Sequence, residues 1–218
     1  MDQYIFLGCD LLIVFIVSMI INKKLRLPLW KAVLFSLLIV PVGVFCSKLM
    51  RLIEEGTWVG YSFYGAVLFE PVIMVPLGLL LKIRPVEVLE LGAPTGCISL
   101  VFLKIQCLVT GCCFGRILWR QDNGRPVRFP SQIVEMIVGM VLFVILMTIS
   151  RSEKHRKFIY AWFLVLDGST RFFLNLMRET VPFVLGLSAG CFWSLISCFI
   201  GGCVLLYAYV LQKKRLAK

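Results

Sequence analysis

The chain has 218 residues, 60% of them hydrophobic and only 16% charged, with a mean hydropathy of +0.92. That excludes an ordinary soluble domain and a disordered chain, and it fits a single integral membrane domain, residues 1–218, of the all-α polytopic class. The formal net charge of +11 is no nucleic-acid footprint, because most of it sits at the ends of apolar runs, where it sets topology.

Seven apolar runs are long enough to cross a bilayer at about 1.5 Å per residue. In chain order they are Tyr4–Ile21, Leu29–Lys48, Gly60–Leu81, Val86–Val109, Ser131–Ser150, Phe158–Met177 and the Gly-interrupted Val184–Leu211. The first has no basic residues ahead of it and is followed by Lys23 and Lys24, so it reads as a retained helix and not a cleaved signal peptide. Near the start of the third lies Ser62-Phe63-Tyr64-Gly65-Ala66, in which Tyr64 is either a site residue or an interfacial anchor, the commoner role. The fourth carries Glu90 and Lys104 and closes in Gly111-Cys112-Cys113-Phe114-Gly115-Arg116. Its glycines either admit a ligand close to the backbone or simply stop the helix. Cys112 to Pro130 is the longest non-helical connection and the place to look for a site. The fifth run opens on Pro130-Ser131-Gln132, a helix start that suits an anion or plain capping, and holds Glu135 one turn in.

The sixth run is the most informative. Asp167, Arg171, Asn175 and Arg178 recur at i, i+4, i+8 and i+11 and so share one helix face. A charge within the bilayer costs several kcal/mol unless it meets a partner, an aqueous cavity or an anionic ligand. With Lys104 and Glu135 at similar depth, Arg171 is expected to converge with them around a lipid headgroup; the plainer alternative is a set of ion pairs, such as Asp167 with Arg171, that fix packing.

Lys23, Lys24, Arg26, Lys31, Lys82, Arg84, Arg151, Lys154, Arg156, Lys157, Lys213, Lys214, Arg215 and Lys218 flank one side. They mark it as cytoplasmic and put the N-terminus outside and the C-terminus inside. Against that bias, Arg116, Arg120, Arg125, Arg128, Arg171 and Arg178 gather toward the outer side, and the preference for Arg over Lys suits bidentate phosphate recognition. The nine cysteines are scattered and odd in number without CxxC spacing, which argues against a metal site and a disulfide framework. Only the adjacent Cys112 and Cys113 invite a chemical reading. The single histidine, His155, lies in a cytoplasmic basic loop, so outer-face chemistry must proceed without an imidazole base.

Together these segments resemble the bacterial prolipoprotein diacylglyceryl transferase family over nearly the whole chain. Ser62-Phe63-Tyr64-Gly65-Ala66 is similar to its Ser-Phe-His-Gly-Gly, and Glu90-Leu91-Gly92-Ala93-Pro94 to its Asp-x-x-Ala-Pro. Lys104 through Gly111, continued by Cys112-Cys113-Phe114-Gly115-Arg116, aligns without gaps to Arg-x-Gly-Asn-Phe-x-Asn-Gly-Glu-x-x-Gly-Arg. Pro130-Ser131-Gln132-Ile133-Val134-Glu135 resembles Pro-Ser-Gln-Leu-Tyr-Glu. Asp167-Gly168-Ser169-Thr170-Arg171-Phe172, with Arg178 beyond, resembles Tyr-Gly-x-x-Arg-Phe and its trailing Arg. Leu187-Ser188-Ala189-Gly190-Cys191 is similar to Leu-Ser-x-Gly-Gln.

The resemblance implies seven spans in the bacterial inner membrane and a reaction at its outer face, with no cofactor. The diacylglyceryl group of phosphatidylglycerol moves to the thiol of a lipoprotein precursor's cysteine, releasing glycerol 1-phosphate. It further implies that Arg171, Arg116 and Arg178 bind the headgroup or departing phosphate, with Glu135 and Gly115 matching by position and Gln132 within a matching motif. This chain departs from the pattern in having Tyr64 for the His, Lys104 for the first Arg, Cys107 for an Asn, Cys112 for the Glu, Asp167 for the Tyr and Cys191 for the Gln.

The leading expectation is therefore a lipid-using transferase. Its donor is phosphatidylglycerol or another anionic phospholipid, and its acceptor a lipoprotein precursor or other thiol. Arg171, Arg116 and Lys104 lie on the phosphate, and Asp167 or Glu135 is the base. A variant makes Cys112 or Cys113 a covalent nucleophile. The main alternative is a non-catalytic relative that binds lipid or lipoprotein. Thiol–disulfide exchange at Cys112–Cys113 ranks lower, because adjacent cysteines form strained bridges. A transporter is weakened by the absence of inverted repeats.

Overall fold

The computed structural model describes residues 2–216 except Asn123. Among the described residues it is built of seven long helices, one single-turn helix and two small hairpins. The order is α1 (Asp2–Leu25), α2 (Leu29–Glu55), α3 (Phe63–Leu80), α4 (Pro85–Thr110), β1 (Ile117–Arg120), β2 (Pro126–Arg128), α5 (Ser131–Ile149), α6 (Glu153–Arg156), α7 (Ile159–Leu176), β3 (Pro182–Val184), β4 (Leu187–Ser188) and α8 (Ala189–Leu216). The all-α polytopic class read from composition is what the structure has.

The breaks follow local chemistry. Pro28 and Pro85 mark helix starts, where a missing N–H costs nothing. The Glu87 carboxylate accepts the Arg84 N–H at 3.0 Å and closes the first turn of α4. Gly56 ends α2 in the left-handed region, its N–H donating to Leu52 O at 2.9 Å. Several boundaries differ from expectation, those of α2 and the last helix most. Helix α2 runs past Lys48 to Glu55, its two extra turns carrying the Arg51 pairs with Glu54 and Glu55. The last helix begins at Ala189 and not Val184, because Pro182–Val184 and Leu187–Ser188 pair as an antiparallel hairpin turning through Leu185 and Gly186, both at positive φ.

Six of the long helices are apolar enough to cross a membrane by length and composition. The seventh, α7, is the polar exception, and it is walled in by α8, α5 and α4. One apolar cluster joins α1 to α4 through Val14, Phe35, Ile39, Met74, Leu91 and Ile98. A second joins α2, α3, α4, α5 and α7 through Met50, Tyr64, Leu142, Leu146 and Phe163. Close contact of α7 with α8 depends on Gly168, where a Cβ would lie 2.8 Å from Ser194 O.

Two polar ties hold the helix ends at one end of the bundle. Lys31 Nζ donates to Leu81 O at 2.6 Å, and Arg156 Nε lies 3.1 Å from the buried carboxylate of Glu90. Glu90 thus has its partner at this end, far in sequence from the charges below, and the ring of exposed His155 meets neighbouring Ser152 at 3.0 Å.

Candidate active site

At the opposite end the C-termini of α4 and α7 meet the N-termini of α5 and α8. Helical periodicity turns Asp167, Arg171 and Asn175 to the interior of α7, where all three are buried, and brings Arg178 up just beyond its end. Arg171 Nε donates to Asp167 Oδ1 at 3.0 Å. Glu135, one turn into α5, receives Lys104 Nζ at 2.8 Å and Arg171 Nη1 at 3.5 Å on Oε2, and Arg178 Nη1 at 3.7 Å on Oε1. The convergence of Lys104, Glu135 and Arg171 expected from depth alone is present, and so is the Asp167–Arg171 pair.

Three cations share two carboxylates here, leaving one positive charge in excess within a low-dielectric interior. Donors are left over as well. Arg171 Nη2 and Arg178 Nε are buried without a hydrogen-bond partner among the described residues, as are the acceptors Asp167 Oδ2 and both oxygens of Glu135, which meet their cations as ion pairs only. Orphaned charged donors are costly, and an anion placed between them would remove that cost. The Arg171 guanidinium also lies 3.8 Å over the Phe63 ring, a cation–π contact that fixes its plane.

A second chain of contacts runs from α3 to the same arginine pair. Ser194 donates its one proton to Gly190 O at 2.6 Å. The Tyr64 hydroxyl, 2.7 Å from Ser194 Oγ, must therefore be the donor in that pair. Asn175 Nδ2 approaches the same Ser194 Oγ at 3.5 Å, and Asn175 Oδ1 accepts from Arg178 at 3.3 Å. Tyr64 is 3% exposed, which overturns the interfacial-anchor alternative: its ring packs in the second apolar cluster and its proton is committed to Ser194.

The loop after α4 brings Arg116 to this end. Gly115 and Arg178 form an isolated antiparallel bridge. Arg116 N donates to Met177 O, and Phe129 N to Arg116 O, each at 2.9 Å. A Cβ on Gly115 would fall 2.1 Å from Phe129 O, so only glycine lets these backbones lie together. The Arg116 side chain donates back to Arg178 O at 3.3 Å. Arg116, Ile117, Arg178, Glu179 and Thr180 line an open cleft of about 400 Å³. Arg128 is paired with Glu179 at its rim. Arg120 and Arg125 sit toward the turn of the β1–β2 hairpin.

Gln132 and Ser131, read as part of an anion-binding helix start, use their side chains otherwise. Gln132 Nε2 donates to Cys112 O and Ser131 Oγ to Cys113 O, both at 2.7 Å, which ties the cysteine loop to α5. The cysteines themselves are not scattered in space. The Sγ atoms of Cys107, Cys112 and Cys113 lie within 4.8 Å of one another, with Cys107 donating to Cys113 at 3.6 Å. That hydrogen bond, then the charges of Lys104 and Arg178, hold the Cys113 thiol below its ordinary range against the opposing effect of burial. Cys191, in contrast, is buried beside the Phe172 carbonyl. Sequence reasoning passed over Ser194, whose only signal was a hydroxyl within an otherwise apolar run, and Phe63.

The family described as Prolipoprotein diacylglyceryl transferase matches residues 11–207, from within α1 to within α8. The chain belongs to this family. Among curated members it is similar to phosphatidylglycerol–prolipoprotein diacylglyceryl transferase 2 of Clostridium perfringens, 24% identical over 79% of this chain and 76% of that protein. It is 30% identical to the phosphatidylglycerol–prolipoprotein diacylglyceryl transferase of Geobacter sulfurreducens over 61% of this chain and 54% of the relative. For the Teredinibacter turnerae enzyme of the same name the figures are 28%, 69% and 57%. The chain thus spans little more than half the length of the latter two. As a prolipoprotein diacylglyceryl transferase family member it is a multi-pass membrane protein, and its ion network joins residues that stand far apart in its motifs, in α4, α5 and α7.

Proposed function

We propose that this chain transfers the diacylglyceryl group of phosphatidylglycerol to the thiol of a lipoprotein precursor at the outer face of the bacterial inner membrane. The basic helix ends mark the cytoplasmic side, which puts the arginine-rich end outside, level with the outer leaflet's headgroups. The observation that carries the reading is the pair of buried donors, Arg171 Nη2 and Arg178 Nε, without a hydrogen-bond partner among the described residues, with Arg178 reaching from the ion network into the open cleft beside Arg116.

In the reaction the acceptor sulfur attacks the glyceryl carbon. The carbon–oxygen bond to phosphate breaks, its electron pair leaving on glycerol 1-phosphate, and the thiol proton is lost. A phosphodiester of one negative charge becomes a monoester of two. Arg116, Arg178 and Arg171 are placed to stabilise the added charge, and donors fixed in advance where charge develops are the largest single source of such catalysis. Lys104, Glu135 and Asp167 act as positioning residues: they hold the guanidinium planes, and both Glu135 oxygens face cations. A covalent relay through Cys112 or Cys113 is chemically unfavourable, because it would end in a thioether, the same bond as in the product, with no tendency to pass the group on.

Incubation of the purified protein with phosphatidylglycerol and a peptide bearing the acceptor cysteine tests this. The peptide should gain the mass of one diacylglyceryl unit, and Arg171→Ala should abolish the gain. One observation favours a lipid-binding relative instead: Arg171 and Lys104 are nearly sealed and already face carboxylates. Failure to complement loss of the cell's own transferase, with phospholipid binding retained, would decide for that second reading.

A further inference from the structure

If the chain is a transferase, its acceptor must arrive as a thiolate, and among the described residues the nearby carboxylates Glu135, Asp167 and Glu179 each already face a cation. Tyr64 donates to Ser194, Glu135 faces three cations, and Asp167 is fully buried. Beside this network lie three thiols at one point, Cys107 on the last turn of α4 with Cys112 and Cys113 in the loop beyond.

We infer that Cys107, Cys112 and Cys113 form a three-thiolate site for one thiophilic cation of the zinc class, whose open fourth position takes the acceptor thiol. The inference rests on the transferase reading for its second half only. Zinc–sulfur bonds of about 2.3 Å at tetrahedral angles set sulfurs roughly 3.8 Å apart. The Cys107–Cys113 separation is already 3.6 Å. No sulfur pair exceeds 4.8 Å, so closure by about 1 Å completes the set. The backbone is bent to this end. Gly111 stops α4 in the left-handed region at φ 65°, and Cys113 holds φ 60° without being glycine. Gln132 and Ser131 hold the two loop carbonyls from outside. A non-glycine residue at positive φ is strained, and here that conformation accompanies a thiol turned back onto Cys107.

The donor set is all sulfur, which selects zinc or copper(I) over magnesium or calcium. Three thiolates around a divalent ion carry one net negative charge, and Lys104, one turn before Cys107, supplies a cation beside them. Cys112 is exposed while Cys107 and Cys113 are partly covered, so the face left for a fourth ligand is open. Three protein ligands with an open position is the pattern of a catalytic rather than a structural zinc.

The step balances without an oxidant. The acceptor thiol displaces water, gives its proton to solvent and binds as thiolate. Its lone pair then forms the bond to the glyceryl carbon as the carbon–oxygen bond breaks onto the phosphate. The thioether product, a weak ligand, leaves and water returns. A free thiol at pH 7 is only a few per cent ionised, so holding it as thiolate raises the reactive fraction by up to about thirtyfold.

Cobalt(II) titration of the reduced, metal-stripped full chain in detergent is the first test. Saturation near one equivalent with sulfur-to-cobalt charge-transfer bands is expected. The bands should be lost in Cys107→Ser, Cys112→Ser and Cys113→Ser and kept in Cys9→Ser and Cys203→Ser. On the wild-type chain, zinc should protect the three thiols from alkylation as mapped by mass; unchanged alkylation overturns the site. A cysteine acceptor peptide should then shift the cobalt d–d bands where its serine counterpart does not, and no shift overturns the acceptor role. Transfer at full rate by metal-free protein overturns that role too, but leaves the transferase reading intact. A peptide-dependent cobalt spectrum with no transfer under any loading upholds the site and refutes the transferase reading instead.

Discussion

Glu135→Gln is the most discriminating single change. The carboxylate is 2% exposed and faces three cations at 2.8, 3.5 and 3.7 Å. At an effective dielectric near 20 each contact represents roughly 4–6 kcal/mol of Coulomb attraction. Desolvation cancels most of that, and breaking a buried pair by removing one partner costs about 3–5 kcal/mol net. The amide keeps the shape and leaves Lys104, Arg171 and Arg178 with Asp167 alone. We expect the midpoint of thermal unfolding in detergent to fall by on the order of 10 °C, since about 1 kcal/mol corresponds to some 2–4 °C at this size. Lys104→Met on top of Glu135→Gln should recover part of the loss, because it removes one of the stranded charges. The cycle should show a coupling of at least about 1 kcal/mol. A Glu135→Gln single variant as stable as wild type, or strict additivity of the two changes, would refute the account of a shared buried counter-charge.

Gly115→Ala should lower diacylglyceryl transfer about a hundredfold by displacing Arg116, with far-ultraviolet circular dichroism unchanged, because its Cβ meets Phe129 O; retained activity would count against the backbone register described. Gly168→Ala forces α7 from α8 at Ser194 O and Cys198 Sγ, each 2.8 Å from the added Cβ. Such overpacking costs about 1–3 kcal/mol, readable as a lowered unfolding midpoint. Arg156→Met leaves buried Glu90 unpaired at the far end of the bundle. Discounted for partial exposure of the arginine, this should cost about 2 kcal/mol and leave transfer per folded molecule unchanged, which separates stability from chemistry.

The helices were legible because bilayer thickness imposes a length on apolar runs, and six of them register on composition alone. The stripe on α7 was legible because helical periodicity needs no tertiary information: Asp167, Arg171 and Asn175 are buried together as their spacing demands. What escaped depended on contacts between distant segments. Tyr64 stayed open between a site residue and an interfacial anchor, since nothing near position 64 announces Ser194 on α8. Cys107 looked unrelated to Cys112 and Cys113 because spacing rules for thiols presume a familiar motif. The left-handed turns at Gly111 and Cys113 fold the three together by a route no such rule encodes. The start of the Val184–Leu211 run was misplaced because a five-residue stretch of hairpin is indistinguishable by hydropathy from one more turn of helix.

The buried polarity of α7 has a consequence for biogenesis. On insertion scales, a mid-helix Asp or Arg costs about 2.5–3.5 kcal/mol, so α7 alone partitions poorly into lipid. Its remedy lies downstream, in α8, where Ser197 Oγ donates to Leu164 O at 3.1 Å and Gly168 admits the backbone of the Ser194 turn. We expect the two to leave the translocon as a helical hairpin. A nascent chain halted before α8 emerges should expose α7 to protease, while one that includes α8 should protect it.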